Sequence, residues 1–180
     1  MKTLEDQMSF YAAYHQDARN KATHFVGVPL IVFSLMIPLG WLRADVGGIT
    51  LSAALVVTAV LFVYYLVLDV ALGLAMAALF ALMLWGAEPL SQAAFGVSLG
   101  WFLLLFVGGW ALQLWGHVFE GRKPALVDNL FQIFVAPIFL AAEVFFALGY
   151  KLALHEAVQR RALEMRAQAD FRPPGDLKSA

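Results

Sequence analysis

The sequence predicts an all-α, polytopic integral membrane bundle: about four full spans plus one broken or re-entrant apolar segment. Three observations carry this. Hydrophobic residues make up 62% of the 180-residue chain and charged residues only 14%, against about half and about a quarter in an ordinary soluble domain. The mean hydropathy is +0.75. Several windows of roughly 18 to 22 residues carry no charge, long enough to cross a hydrocarbon core about 30 Å thick at about 1.5 Å per residue. Cysteine is absent, which excludes disulfides, thiolate catalysis and sulfur-ligated metals. A net charge of −1 gives no sign of a nucleic-acid partner.

The elements follow in order. Thr3 is placed to cap a first helix with Asp6 three residues on, and Leu4, Met8, Tyr11 and His15 recur at helical spacing on one face. This predicts a helix at the membrane surface over residues 1–21. The opening segment "MKTLEDQMSFYAAYHQDARN" lacks an apolar core followed by a small-residue cleavage site, so it reads as mature sequence. "QDARN" should break the helix before a first span over about 22–42. The apolar run 49–85 is nearly twice one span and carries Asp69 and Gly73 near its middle, predicting a tight hairpin of two spans. "GAEPLSQ" reads as a turn, and a fourth span is expected over about 93–115. A further apolar segment, 130–152, contains Pro137 and Glu143; Pro137 should break it. One membrane domain therefore covers 1–180, with its core over 22–153 and a basic tail over 154–180.

Lysine and arginine accumulate on the cytoplasmic side of short loops. They gather in the N-terminal segment (Lys2, Arg19, Lys21), in the loop after the fourth span (Arg122, Lys123) and beyond residue 150; only Arg43 stands apart. Four spans put the first two groups on one side, and a dipping last segment keeps the tail with them. Irregular backbone at depth is tolerated only where protein or a wet cavity covers it.

With that topology all four histidines, His15, His24, His117 and His155, fall at the cytoplasmic leaflet, although histidine played no part in deriving it. Along one unbroken helix His15 and His24 would face opposite ways; a break between them removes the objection. Neutral imidazole ligates iron, zinc or copper, and two histidines with one carboxylate suit a non-haem ferrous ion with open positions. Glu120 lies three residues after His117, on the same face of a continuing helix. Glu143 is the other carboxylate candidate, since an acid inside an apolar segment is costly and usually paired or functional. Each histidine taken singly also fits an interfacial, hydrogen-bonded role, and Glu143 also fits a simple pairing with Lys151 or with a helix end. Gln113, one turn before His117, is placed to orient a ligand histidine.

Two stretches carry a family resemblance. "YAAYHQDARNKATHFVGVP" near the start and "GWALQLWGHVFEGRKPALVDNLFQIFVAPIFLAAEVFF" near the end resemble the two signature blocks of the family typified by the fungal ferrous dioxygenase of phytosphingosine degradation and fatty acid α-oxidation. The positions that match are Tyr14, His15, Asn20, His24, Gln113, Gly116, His117, Glu120, Pro124, Asp128, Asn129, Pro137 and Glu143. The resemblance implies an iron(II) membrane enzyme that uses dioxygen to remove one carbon from a 2-hydroxy fatty acid. It implies His15, His24 and His117 as metal ligands, with Glu120, Glu143 or His155 completing or orienting the shell; His155 lies outside the matched blocks. Tyr14 and Gln113 join the catalytic candidates. Arg122 and Lys123, which also satisfy the positive-inside bias, are candidates for the substrate's acid head, with Asn20, Asp128 and Asn129 beside them.

Other readings use the same residues. Membrane hydroxylases and desaturases need about eight or more histidines for two irons, and this chain has 4. A zinc-dependent lipid hydrolase would consume no oxygen, and a transporter or scaffold would need no iron. Short loops and the lack of a retention signal favour a bacterial inner membrane over the endoplasmic reticulum. The accepted chain length and the oligomeric state are not written in the sequence.

Overall fold

The computed structural model describes residues 3–121 and 124–168. The chain forms two compact units, one comprising residues 25–113 and the other residues 1–24 with 114–180. Among the described residues three helices are long and apolar enough to cross a membrane: α2 (Ala18–Trp41), α4 (Val70–Gln92) and α5 (Phe95–Glu120). Two shorter apolar helices, α3 (Ala53–Leu68) and α7 (Gln132–Ala147), accompany them.

In the 25–113 unit, α2 leads into a hairpin of β1 (Arg43–Val46) and β2 (Ile49–Ser52), which pairs Arg43 with Ser52 and Val46 with Ile49. This hairpin was not among the expected elements. Its signal was present in "VGGI": Gly47 and Gly48 both take positive φ, 62° and 85°, as a two-residue hairpin turn of primed type demands. Ser52 accepts Leu55 N–H and so caps α3. The predicted helical hairpin is then made with one residue. Asp69 is extended; its N–H closes α3 on Tyr65 O, and its side chain accepts Leu72 N–H to open α4. Gly73 completes the turn, because a Cβ there would lie 2.8 Å from Leu66 N.

The predicted turn at "GAEPLSQ" is instead the last stretch of α4, and the chain turns at Ala93 and Ala94. Side-chain partners hold this polar end helical despite Pro89. Arg43 donates to Glu88 and Ser91, and Gly40 lets α2 close on Ser91, where a Cβ would meet Ser91 Cβ at 2.6 Å. Trp41 Nε1 donates to Ser98 Oγ at 2.7 Å, joining the end of α2 to the start of α5. Outward-facing Val60, Val67, Leu82, Leu104 and Val107 remain exposed. On a water-soluble protein so large an apolar surface would be a liability; against lipid it is the required one.

In the other unit the capping box forms as predicted, with Thr3 and Asp6 each bonding the other's backbone. Helix α1 (Leu4–Ala13) buries Leu4, Met8 and Tyr11 on its predicted face and packs on α7 and on α8 (Leu152–Ala167). The break comes at residues 14–17, slightly earlier than "QDARN" suggests, because Asp17 Oδ1 accepts Arg19 N–H and starts α2 within that run. A short α6 (Ala125–Asp128) precedes α7.

Pro137 does not break α7, which runs through it. The lost backbone bond and ring clash cost about 3 kcal/mol. Val135, Ile138, Phe139 and Leu140 are buried around it, and each such side chain contributes about 1.5–3 kcal/mol. The helix ends where glycine allows it: Gly149, at φ 81°, donates to Phe146 O while Tyr150 donates to Phe145 O, the paired bonds of a Schellman cap.

Candidate metal centre

Three elements each bring one histidine. His15 sits in the break after α1, His24 in the second turn of α2, and His117 in the last turn of α5. Their ring centroids lie 4.6 to 5.0 Å apart, and one ligand atom from each falls within 4.8 Å of the others. All three are buried, at 2%, 2% and 7% exposure. The break is what allows it, since the non-helical residues 14–17 free His15 from the helix that carries His24, and the two rings meet. A bare Gly116 allows the rest. A Cβ there would sit 2.2 Å from Thr23 Oγ1 and 3.2 Å from His24 Nδ1, so only glycine lets the end of α5 lie close enough for His117 to join.

The hydrogen bonds fix the ring tautomers. His15 Nδ1 donates to Tyr11 O at 2.7 Å and His24 Nδ1 donates to Asn20 O at 2.9 Å; a carbonyl only accepts, so the proton of each neutral ring sits on Nδ1. Burial, and then the neighbouring His24, push the pKa of His15 well below its usual value, so this ring is neutral. The two Nε2 atoms then present lone pairs to one another at 3.1 Å. That arrangement is repulsive unless a cation shares both. Two nitrogens about 2.1 Å from one ion stand about 3.0 Å apart at a right angle and about 3.4 Å in a tetrahedron, which brackets the observed separation. The residues therefore fit a metal ion bound by Nε2 of His15, Nε2 of His24 and one ring nitrogen of His117, with His15 and His24 held by the Nδ1–H···O=C bonds that orient metal-bound histidines.

The two carboxylates have other partners. Glu120 does point the same way as His117, but its Oε2 accepts from Gln16 N at 2.9 Å, Asp17 N at 2.8 Å and Asn20 Nδ2 at 3.1 Å. Its Oε1 accepts from Arg166 Nη1 at 2.6 Å, and the side chain is only 1% exposed. Glu120 thus grips the segment joining His15 to His24 instead of facing an ion. Arg166 also donates to Ala13 O at 3.0 Å, tying α8 into the same clasp. Glu143 pairs with Lys21 at 3.1 Å, not with Lys151.

The remaining candidates divide similarly. His155 is not brought to the cluster; its ring stacks on Phe146 at 4.6 Å. Gln113 is buried beside Gly27, its Nε2 3.1 Å from where a glycine Cβ would be. Tyr14 donates its hydroxyl to Asp128. Asn129 accepts Phe131 N–H at 3.1 Å just before α7, a local turn bond. Asn20 is fully buried, reaching Tyr14 O and Glu120. Arg122 and Lys123 lie outside the described residues. Four residues join the site without having been candidates for it: Lys21 and Arg166, expected only as cytoplasmic-side charges, and the walls of the centre, Tyr11, stacked on His15 at 3.9 Å, and Phe139. Lys21 had a signal, three residues before His24 and so on its face; Arg166 had none.

Comparison with known proteins identifies the family. The family model described as "2-hydroxy-palmitic acid dioxygenase Mpo1-like" matches residues 1–148, the stretch that carries all three clustered histidines. The chain is similar to the 2-hydroxy-palmitic acid dioxygenase MPO1 of Saccharomyces cerevisiae, 36% identical over 175 residues that cover 92% of this chain and 96% of the yeast protein. No solved structure matches. A helical chain with a buried three-histidine cluster, matched over most of its length, belongs to the Mpo1-like family of 2-hydroxy-palmitic acid dioxygenases.

Proposed function

We propose that this chain is an iron(II)-dependent membrane dioxygenase that converts a 2-hydroxy fatty acid to the fatty acid one carbon shorter. The observation that carries the reading is the trio of buried imidazoles, two of whose Nε2 lone pairs converge at 3.1 Å. The resemblance to the yeast enzyme supplies the substrate class. The reaction balances without an outside reductant: R–CH(OH)–COOH and O2 give R–COOH, CO2 and H2O.

His15, His24 and His117 would hold the ion on one side and leave its other positions open. Iron(II), when bound, supplies the electrons that activate dioxygen and a Lewis acid that polarises the hydroxyl and carboxylate of the substrate. The protein's own work is to hold and enclose. Tyr11 and Phe139 wall His15 from water, and Glu120 keeps the His15–His24 segment seated. Tyr14 and Asp128 fasten the end of α1 to α6.

A lipid substrate suits the surroundings, and contacts inside the 25–113 unit support a reading with four crossings of the bilayer. Gly27 near the start of α2 touches Gly109 late in α5, while Trp41 at the end of α2 bonds Ser98 early in α5, so the two run antiparallel. Helix α4 ends beside Gly40 and Arg43, and α3 begins from the hairpin that Arg43 opens. These contacts favour α3 and α4 as an out-and-back pair, with the 16 residues of α3 covering about 24 Å. Arg19 and Lys21 stand at the start of α2, the end that carries His24, and Arg43 at the other end is neutralised by Glu88. The positive-inside bias therefore supports a centre near the cytoplasmic face.

The deciding experiment incubates purified protein with iron(II) and 2-hydroxypalmitate in air. Pentadecanoate should appear with one CO2 released per O2 consumed, and zinc in place of iron should support none of it. Product formation with zinc and without oxygen uptake would overturn the reading in favour of a hydrolase.

A further inference from the structure

Beside the histidines stands a charged pair that the metal does not need. Lys21 lies three residues before His24, on the same face of α2. Glu143 lies one turn beyond Phe139 on α7, whose ring is 6.4 Å from that of His15. The two side chains meet at 3.1 Å and are mostly shielded, at 22% and 15% exposure.

The pair has unused valences. An ammonium carries three donors. Lys21 gives one to Glu143 Oε2, and among the described residues nothing takes the other two. Glu143 Oε1 is buried and likewise has no partner among them. Leaving such a group unpaired is costly, and an ion pair inside an apolar region contributes little stability by itself. What remains on offer is two donors beside one acceptor. A 2-hydroxy acid presents the complement: a carboxylate that accepts and, one carbon away, a hydroxyl that donates. A plain fatty acid lacks the second group, and a 1,2-diol lacks the charge.

We propose that Lys21 and Glu143 form the head-group site of this protein, Lys21 binding the substrate carboxylate and Glu143 both holding Lys21 and accepting the 2-hydroxyl proton in a hydrogen bond. The proposal rests on the substrate class of the proposed function. It makes the ion pair the specificity element for 2-hydroxy acids and leaves metal retention to the histidines.

The test uses the full-length, metal-loaded protein, kept free of oxygen for binding measurements with 2-hydroxypalmitate, palmitate and 1,2-hexadecanediol. Lys21→Gln should weaken 2-hydroxypalmitate about ten-fold or more, the worth of one charge-assisted hydrogen bond, and leave the diol within about two-fold. In air its KM should rise by the same factor with kcat little changed, and Lys21→Arg should stay close to wild type. Lys21→Met/Glu143→Leu removes both charges together, a replacement that folds tolerate. It should keep its metal, bind 2-hydroxypalmitate about ten-fold or more weakly, and lose most of the preference for it over palmitate. Equal weakening of acid and diol, wild-type affinity in the double variant, or loss of metal from it would each overturn the proposal. Lys21-dependent binding without pentadecanoate formation would sink the proposed function and leave this site standing; turnover with a KM indifferent to Lys21 would do the reverse.

Discussion

Each of the two units of this protein is held together internally by a chemistry of its own. In residues 25–113 the close approaches are made by missing side chains: Gly27 against Gly109, Gly40 against Ser91, and Gly73 against the backbone of Leu66. Around the histidines the work is done by polar side chains bonded across long sequence separations, with Glu120 gripping Gln16, Asp17, Asn20 and Arg166. The difference follows from solvent. Lipid-facing helices gain nothing from apolar contact with one another beyond what lipid offers, so small residues and tight packing hold them. A metal centre needs rings fixed in orientation, which directional hydrogen bonds achieve. Damage to the first kind of contact should therefore cost stability, and damage to the second should cost metal and turnover.

The largest effect that would sharpen this contrast is expected at the rings themselves. His15→Ala, His24→Ala and His117→Ala should each lower metal affinity by roughly a hundred-fold or more, above the ten- to hundred-fold typical of an outer-shell change. His155→Ala should leave bound metal unchanged, because that ring stacks on Phe146. Metal analysis of the four purified variants decides it, and retained metal in the first three would end the centre. Next comes Glu120→Ala, which frees the amides of Gln16 and Asp17 and the guanidinium of Arg166. Metal affinity should fall about ten- to hundred-fold with the helices still formed, readable as metal content beside circular dichroism.

That ordering also shows what the sequence could and could not reveal. Helices were legible because lipid demands long uncharged runs, and the single-residue hairpin at Asp69 was legible because Asp69 and Gly73 interrupt one. A break and a topology put all four histidines at one leaflet, and only the family resemblance separated His15, His24 and His117 from His155. The role of Glu120 could not. Its spacing from His117 says which way the carboxylate points, not that backbone from 103 and 104 positions away comes to meet it. The same holds for Arg166, which reaches Glu120 from the far end of the chain. Pro137 and the "GAEPLSQ" stretch misled for the opposite reason, since a local breaker was overruled by burial in one case and by Arg43 in the other.

Glycines offer a smaller effect on each side of the contrast. Gly116→Ala would drive a methyl to 2.2 Å from Thr23 Oγ1, and Gly109→Ala to 2.7 Å from Ile31 Cγ1. Both are overpacked by about 1–3 kcal/mol. The displaced part in the first case carries His117, and in the second it is a helix contact alone. Gly116→Ala should lose roughly ten-fold in turnover per bound metal, whereas Gly109→Ala should lower thermal stability and keep the turnover of each folded molecule. Equal turnover losses would mean that the two units are not chemically separate.

The smallest effect is expected at Arg43, the one cation of residues 25–113. Its guanidinium pairs with Glu88 at 2.9 Å, donates to Ser91 and to Gly40 O, and is 30% exposed against 44% for its partner. Exposed pairs contribute about 0.2–1 kcal/mol, and the bonds to Ser91 and Gly40 add to that only modestly because water or lipid head groups can replace them. Arg43→Ala should therefore lower Tm by about 2–4 °C, the shift that about 1 kcal/mol produces in a protein of this size, with metal content and turnover of 2-hydroxypalmitate at the wild-type level. Because Arg43 also holds the polar end of α4 helical, the same variant should show faster hydrogen exchange confined to residues 88–92. If its activity fell with its stability, the hairpin end of the spans would have to take part in holding the histidines, and the contrast between a packed scaffold and a hydrogen-bonded centre would not survive.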